Sequence, residues 1–286
     1  MSTDYGKRRL RDLADPLVVP GALAVAVFVL FAADDAGYPQ TVWYPGALFL
    51  VALAAVALPP LWTPPSRAVA VAAACLAAFT LWSFASIAWS DVRGDAWDGA
   101  NRTLLYLAVF VLFAFLPWRA GSVATLLGVW SVAVAALGAV FLARSVDANP
   151  EAYFLLGRLA EPAGYQNANC ALFLMAFFPA VFVAARPEMP VGFRALGLAA
   201  AAVLLELALL TQSRASVAAL PVTLAIFLAL VPARARTVVF LVPPVVATAL
   251  ASNRLLDVFP AIREDEGVAD ALGAAWGALW ITAVAV

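Results

Sequence analysis

The chain has 286 residues, 65% of them hydrophobic and 12% charged, with a mean hydropathy of +0.95. A soluble domain carries roughly 25% charged residues, so the composition is that of an integral membrane protein and the counting unit is the spanning helix. The formal net charge of -1 gives no basic field for nucleic acid.

The first apolar run, residues 16–33, follows the basic stretch KRRLR at 7–11. No small-x-small cleavage site follows it and many further runs do, so it reads as an uncleaved membrane helix rather than a signal peptide. Further runs stand near 42–61, 67–89, 103–118, 121–143, 169–185, 195–212, 217–232, 237–252 and 271–286. The expected fold is an all-α polytopic integral membrane bundle of about 9–10 transmembrane helices, in a single transmembrane domain over 1–286. Pro59, Pro60, Pro179, Pro221, Pro243 and Pro244 are expected to kink or end helices, which a bundle tolerates when neighbours satisfy the freed carbonyls. The two cysteines, Cys75 and Cys170, lie in separate runs without zinc or redox spacing, and a buried packing role is expected for both.

Placing the basic N-terminus in the cytoplasm puts Lys7, Arg8, Arg9, Arg11, Arg67, Arg119, Arg186, Arg194, Arg234 and Arg236 on the inner side, ten of the 17 basic residues. That excess, in the shorter loops, favours a cytoplasmic N-terminus. Among the outer residues, Arg93, Arg102, Arg254 and Arg263 stand beside acids and read as solvated or interfacial ion pairs. Asp34 and Asp35, in the first outer loop, read as solvated. Trp43, Trp62, Trp82, Trp89, Trp97 and Trp118 fall mostly near run ends, as interfacial anchors do.

Two outer stretches are different. GRLAEPAGYQNANCALFL, 157–174, sets Arg158, Glu161, Gln166, Asn167 and Asn169 just before the sixth run. LLTQSRASVAALPV, 209–222, sets Thr211, Gln212, Ser213, Arg214 and Ser216 between the seventh and eighth. Asn167 or Asn169 is expected to cap the sixth helix, and Ser213 or Ser216 the eighth. Both helices then begin on the outer face, each offering unpaired N–H groups and the positive end of its dipole. A helix N-terminus with an arginine suits an oxyanion, because guanidinium holds phosphate oxygens in bidentate fashion. Two such sites could share a diphosphate; the plainer alternative has both arginines snorkelling to headgroups or capping carbonyls.

Glu206 is the one acid inside an expected span, eight residues before Arg214, hence roughly 12 Å deeper. It is either a functional acid facing the bundle or a protonated, hydrogen-bonded one. No Gly-rich phosphate loop, metal-ligand cluster or Ser–His–Asp set can be assembled, and histidine is absent. The residues therefore call for no metal and no cofactor.

The spacing R158-LAEPA-G164-Y165-Q166-N167-A168-N169, followed two runs later by T211-Q212-S213-R214-A215-S216, resembles the two signatures of the O-antigen ligase and O-antigen polymerase superfamily. The resemblance covers about residues 157–230. It implies a glycosyltransferase at the outer face of the bacterial plasma membrane, acting on an undecaprenyl diphosphate-linked glycan donor. The acceptor would be a glycan, a lipid or a protein hydroxyl, and membrane lipids would surround the chain. It further implies that Arg158 and Arg214 grip the donor diphosphate, with Gln166, Asn167, Asn169 and Ser213 as supporting polar groups. The family's proposed general base is a histidine in a later outer loop; with no histidine here, the catalytic residue is unassigned and the chain reads as an N-terminal portion or a member without that loop. The rival expectation is a lipid-linked glycan flippase or polysaccharide transporter, which predicts charge distributed through the membrane rather than gathered at one face.

Overall fold

A computed structural model describes residues 15–147 and 150–286. Lys7, Arg8, Arg9 and Arg11, on which the orientation rests, lie outside the described residues. The helices are α1 (Val18–Ala33), α2 (Gln40–Leu61), α3 (Arg67–Ser86), α4 (Arg93–Ala114), α5 (Ala120–Asp147), α6 (Gln166–Ala184), α7 (Val191–Leu210), α8 (Arg214–Leu230), α9 (Arg234–Leu256), α10 (Val258–Glu264) and α11 (Val268–Ala285). Each of the ten apolar runs coincides with one of them, so the protein is an all-α polytopic membrane bundle. Among the described residues, seven helices are long and apolar enough to cross a membrane, with α9 and α10 counted as one; α1 and α8 are apolar but shorter. Between α5 and α6 lies a small hairpin, β1 (Phe154–Leu155) and β2 (Arg158–Leu159).

Two compact units divide the described residues within α1 and α5: those up to 27 with 40–122, and 28–39 with those from 123 to 286. In the first unit, α4 packs against α2 and α3. Its helix starts ten residues earlier than the apolar run, because WDGANR is itself helical. Arg102 pairs with Asp98 at 3.0 Å one turn away, and Asn101 donates to the Trp97 carbonyl at 3.0 Å. Trp62, Trp82, Trp89 and Trp97 are exposed as anchors would be, but Trp43 is buried, stacked on Tyr44 at 3.9 Å and under the Arg102 guanidinium at 5.0 Å. Cys75 is exposed on α3, contrary to its expected burial. Ser122 donates to the buried Asp15 at 2.6 Å, and Asp15 accepts the Leu17 N–H ahead of α1.

The second unit is built on the α6–α7 pair, with α9 and α11 against α7. Water expels nothing between helices in lipid, so close backbone approach through small residues supplies the cohesion. Ala176, Ala180 and Ala184 recur every four residues on α6 and are fully buried. Opposite them, a Cβ on Gly197 would lie 3.1 Å from the Ala180 carbonyl oxygen. Ser131 ties α5 to α6 by donating to the Ala176 carbonyl at 2.8 Å, and Cys170 is buried with its thiol toward the Ala208 carbonyl at 3.7 Å. Pro179, Pro221, Pro243 and Pro244 all lie inside helices instead of ending them.

Candidate functional site

The hairpin positions Arg158. Phe154 faces Leu159 and Leu155 faces Arg158, so Leu156 and Gly157 form the two-residue turn, with φ of 54° and 80°. Positive φ at both positions matches the twist of the flanking strands. The period of two sends Leu159 into the core and leaves Arg158 half-buried on the other side. Gly157 sits directly on α10: a Cβ there would lie 3.0 Å from both Arg263 Cγ and the Phe259 carbonyl oxygen. The Arg158 guanidinium carbon stands 5.8 Å from the centroid of the Phe259 ring, and that of Arg263 stands 5.6 Å from the same centroid. Arg158 Nε is buried without a hydrogen-bond partner among the described residues.

Neither asparagine caps α6. The capping position is Tyr165, in extended conformation, and no side chain bonds the first N–H groups. The amides are spent on the loop instead, whose buried carbonyls need donors. Asn169, fully buried, donates to the Glu161 carbonyl at 2.7 Å and the Leu159 carbonyl at 3.4 Å. Donating to two carbonyls fixes the amide orientation, and Asn169 Oδ1 is left buried without a partner; Gln166 Oε1 is in the same condition.

Asn167 reaches the second motif. Its Nδ2 donates to the Tyr165 hydroxyl at 2.9 Å, and its Oδ1 accepts from Ser213 Oγ at 2.8 Å. Ser213 is the N-cap of α8 as expected, accepting the Ser216 N–H at 3.2 Å. Its one proton goes to Asn167, so Ser216 supplies the proton in the 2.8 Å contact between the two hydroxyls. The N-termini of α6 and α8 therefore meet through one hydrogen bond. Arg214, the first residue of α8, is exposed and has no ion pair or hydrogen bond among the described residues. Arg158 and Arg214 share no common contact; they are connected through Leu159, Asn169, Asn167 and Ser213.

Asp34 and Asp35 are exposed, as expected, and Asp35 Oδ1 lies 2.8 Å from where a Gly164 Cβ would stand, so the loop after α1 also rests against the loop before α6. Partial burial, with the Asp35 and Asp34 charges beside it, raises the Glu161 carboxyl above the usual glutamate range. Of the four arginines expected in ion pairs, Arg102 has one; Arg93, Arg254 and Arg263 have no carboxylate within 4.0 Å among the described residues. Glu206 is fully buried on α7, beside Thr282 of α11. Thr282 directs its hydroxyl at the Ala278 and Leu279 carbonyls, both 3.0 Å away, and neither Glu206 oxygen has a hydrogen-bond partner. Glu206 thus belongs to the bundle interior and not to the cluster at the helix N-termini.

Among the described residues no group of three His, Cys, Asp or Glu side chains could hold a metal. What the cluster offers is an exposed and a half-buried guanidinium, uncapped N–H groups and buried amide oxygens without donors. Sequence reasoning missed Phe259 and Arg263; the acids beside Arg263 masked them, and an aromatic four residues before an arginine on a short helix was the only signal. No family model, curated protein or solved structure matches the chain.

Proposed function

We propose that the second unit binds an isoprenoid diphosphate-linked glycan and presents it for transfer, as the resemblance to O-antigen ligases implies. The observation that carries the reading is the Ser213–Asn167 hydrogen bond at 2.8 Å, which joins two stretches 46 residues apart, each containing an arginine with no anionic partner. The orphaned atoms support it from a different side. Arg158 Nε needs an acceptor, while Gln166 Oε1 and Asn169 Oδ1 need donors. A sugar diphosphate brings both, phosphate oxygens for the first and hydroxyls for the others.

In the transfer, an acceptor hydroxyl oxygen bonds to the anomeric carbon as the bond from that carbon to the diphosphate oxygen breaks. The electron pair leaves with the diphosphate, and the hydroxyl proton passes to a base. Arg158 and Arg214 meet the charge growing on the leaving group, which is electrostatic stabilisation of the transition state. These residues hold the donor; the base is not assigned to any of them. The same reading puts this end of the unit at the outer face of a bacterial plasma membrane and the N-terminus in the cytoplasm.

The test is Arg158→Ala and Arg214→Ala in the full-length protein, read as glycan transfer in membranes alongside expression and insertion. Each variant is expected to insert normally and lose transfer. Normal transfer by either would remove the diphosphate clamp. Retained transfer with loss of donor movement across the bilayer would favour a flippase.

A further inference from the structure

The structure assigns Arg263 and Phe259, on α10, to the same anion site as Arg158: a third guanidinium that contacts the diphosphate of an isoprenoid-linked donor from outside the two motifs. The inference rests on the donor-binding reading of this end of the unit and extends it to an element that the motifs do not reach.

Two observations bring the residues together. Arg158 and Arg263 each place their guanidinium carbon within 6 Å of the Phe259 centroid, at 5.8 and 5.6 Å. Gly157, the turn residue beside Arg158, packs against Arg263 Cγ and the Phe259 carbonyl so closely that a Cβ would sit 3.0 Å from each. Backbone packing therefore brings Arg158 to a ring that already lies one helical turn from Arg263.

Their electrostatic state is the reason to expect a ligand. An aromatic ring attracts a cation, but two cations beside one ring repel each other, and an anion within reach of both offsets that cost. Among the described residues neither guanidinium has a carboxylate within 4.0 Å. Glu264, Asp265 and Glu266 follow Arg263 directly, yet all three are exposed and unpaired with it. Arg158 Nε is buried with no acceptor, while Arg263 is exposed.

A similar pair elsewhere in the unit is met differently at one of its two arginines. Arg194 and Arg236 both stand over the Phe240 ring, at 5.2 and 5.7 Å, and Arg236 Nε is likewise buried without a partner. There Arg194 donates from Nε to the Ala184 carbonyl at 2.9 Å, the C-terminal end of α6, where the helix dipole is negative. Arg158 instead lies on the strand whose Leu159 carbonyl accepts from Asn169 in the first turn of α6, a helix whose N-cap makes no side-chain bond and whose N-terminal end adds positive potential. That surrounding suits an anion with several acceptor oxygens, held by bidentate guanidinium contacts.

Phosphate oxygens are the shared chemistry of an isoprenoid diphosphate and of a phospholipid headgroup, so the experiment separates them. The purified full-length protein is placed in phosphatidylcholine nanodiscs, and binding of radiolabelled undecaprenyl diphosphate is measured with and without phosphatidylglycerol as competitor. Arg263→Ala is expected to weaken binding by about tenfold to a hundredfold, the loss of a charge-assisted contact. Arg263→Lys should fall between that and the parent. Arg263→Gln, which keeps much of the stem packed on Gly157, is expected to bind as weakly as Arg263→Ala and guards against a folding defect, checked by gel filtration and thermal melt. If Arg158→Ala and Arg214→Ala weaken binding while all three Arg263 variants bind normally, the inference is overturned and the donor-site reading stands. If no variant at any of the three positions changes binding, that reading fails and takes the inference with it. If phosphatidylglycerol displaces the probe at equimolar level, the site is a headgroup site and the diphosphate assignment is overturned.

Discussion

The Ser213 hydroxyl donates to Asn167 Oδ1 across 2.8 Å while its oxygen accepts the Ser216 N–H at 3.2 Å. One hydroxyl therefore caps α8 and holds the start of α6 against it. Removing it should cost about 1 kcal/mol for the cap and about another 1 kcal/mol for the hydrogen bond. Ser213→Ala is thus expected to destabilise by roughly 2 kcal/mol, Asn167→Ala by roughly 1 kcal/mol, and the double variant by less than their sum. Ser213→Thr should keep most of both. Denaturation of the detergent-solubilised protein measures all four. Strict additivity of the two alanine variants would mean that the bond between the motifs carries no energy.

Gly157 gives a second test, directed at the hairpin. Its φ of 80° is disfavoured for a residue with a Cβ, and a Cβ would also press on the Phe259 carbonyl and the Arg263 stem. The carbonyl is backbone and cannot swing away. Gly157→Ala is therefore expected to lower stability by about 1–3 kcal/mol and to weaken donor binding by displacing α10 from the hairpin. Leu156→Asn makes the comparison, since the neighbouring turn position also has positive φ, at 54°, and is exposed. Asparagine tolerates that region better than leucine, so this variant should match or exceed the parent's melting temperature.

The ten apolar runs were legible because length and hydropathy are local properties, and each became a helix. What lay beyond reach depended on partners distant in sequence. The helical start of α4 was hidden by charges that only an i, i+4 pairing between Asp98 and Arg102 makes compatible with a helix. Asn169 looked like a cap, since nothing local says that the Leu159 and Glu161 carbonyls are buried and need its protons. Ser213 was read correctly as a cap because capping is decided within one turn. Arg263 looked like one half of an ion pair, since sequence proximity to acids does not reveal that it stays beside Phe259, one turn back on α10, with Gly157 of the hairpin packed against its stem.

Glu161 gives a pH-dependent prediction. Its carboxyl is raised by burial first, then by Asp35 and Asp34, so the folded state binds its proton more tightly than the unfolded chain does. Between the ordinary glutamate range and the raised folded value, the folded state holds more protons, and stability falls as pH rises. Glu161→Gln should remove that loss. The variant is expected to melt above the parent at neutral pH, with the difference shrinking to nothing as pH drops below the ordinary glutamate range. Thermal melts from acid to neutral pH measure it; a difference independent of pH would show that folding does not raise the Glu161 carboxyl.

Glu206 tests whether the buried acid is a liability or an asset. It is fully buried, both oxygens lack partners, and Thr282 beside it bonds its own helix. A buried polar group in that condition costs about 1–3 kcal/mol, and an apolar side chain of similar volume relieves the cost. Glu206→Met is therefore expected to raise the melting temperature in detergent, whereas Glu206→Gln, still polar, should change it little. The neighbouring Leu207→Ala, which opens a void in the same helix, should lower stability by about 2–5 kcal/mol and shows that the assay reads the α7 core. Donor binding should be unchanged in Glu206→Met, because Glu206 lies among α7 and α11 and not beside Arg158 or Ser213. A lower melting temperature for the Met variant would mean that the carboxyl does have a partner in the membrane. A stabilised protein that has lost transfer would make Glu206 a functional acid, retained at the expense of stability.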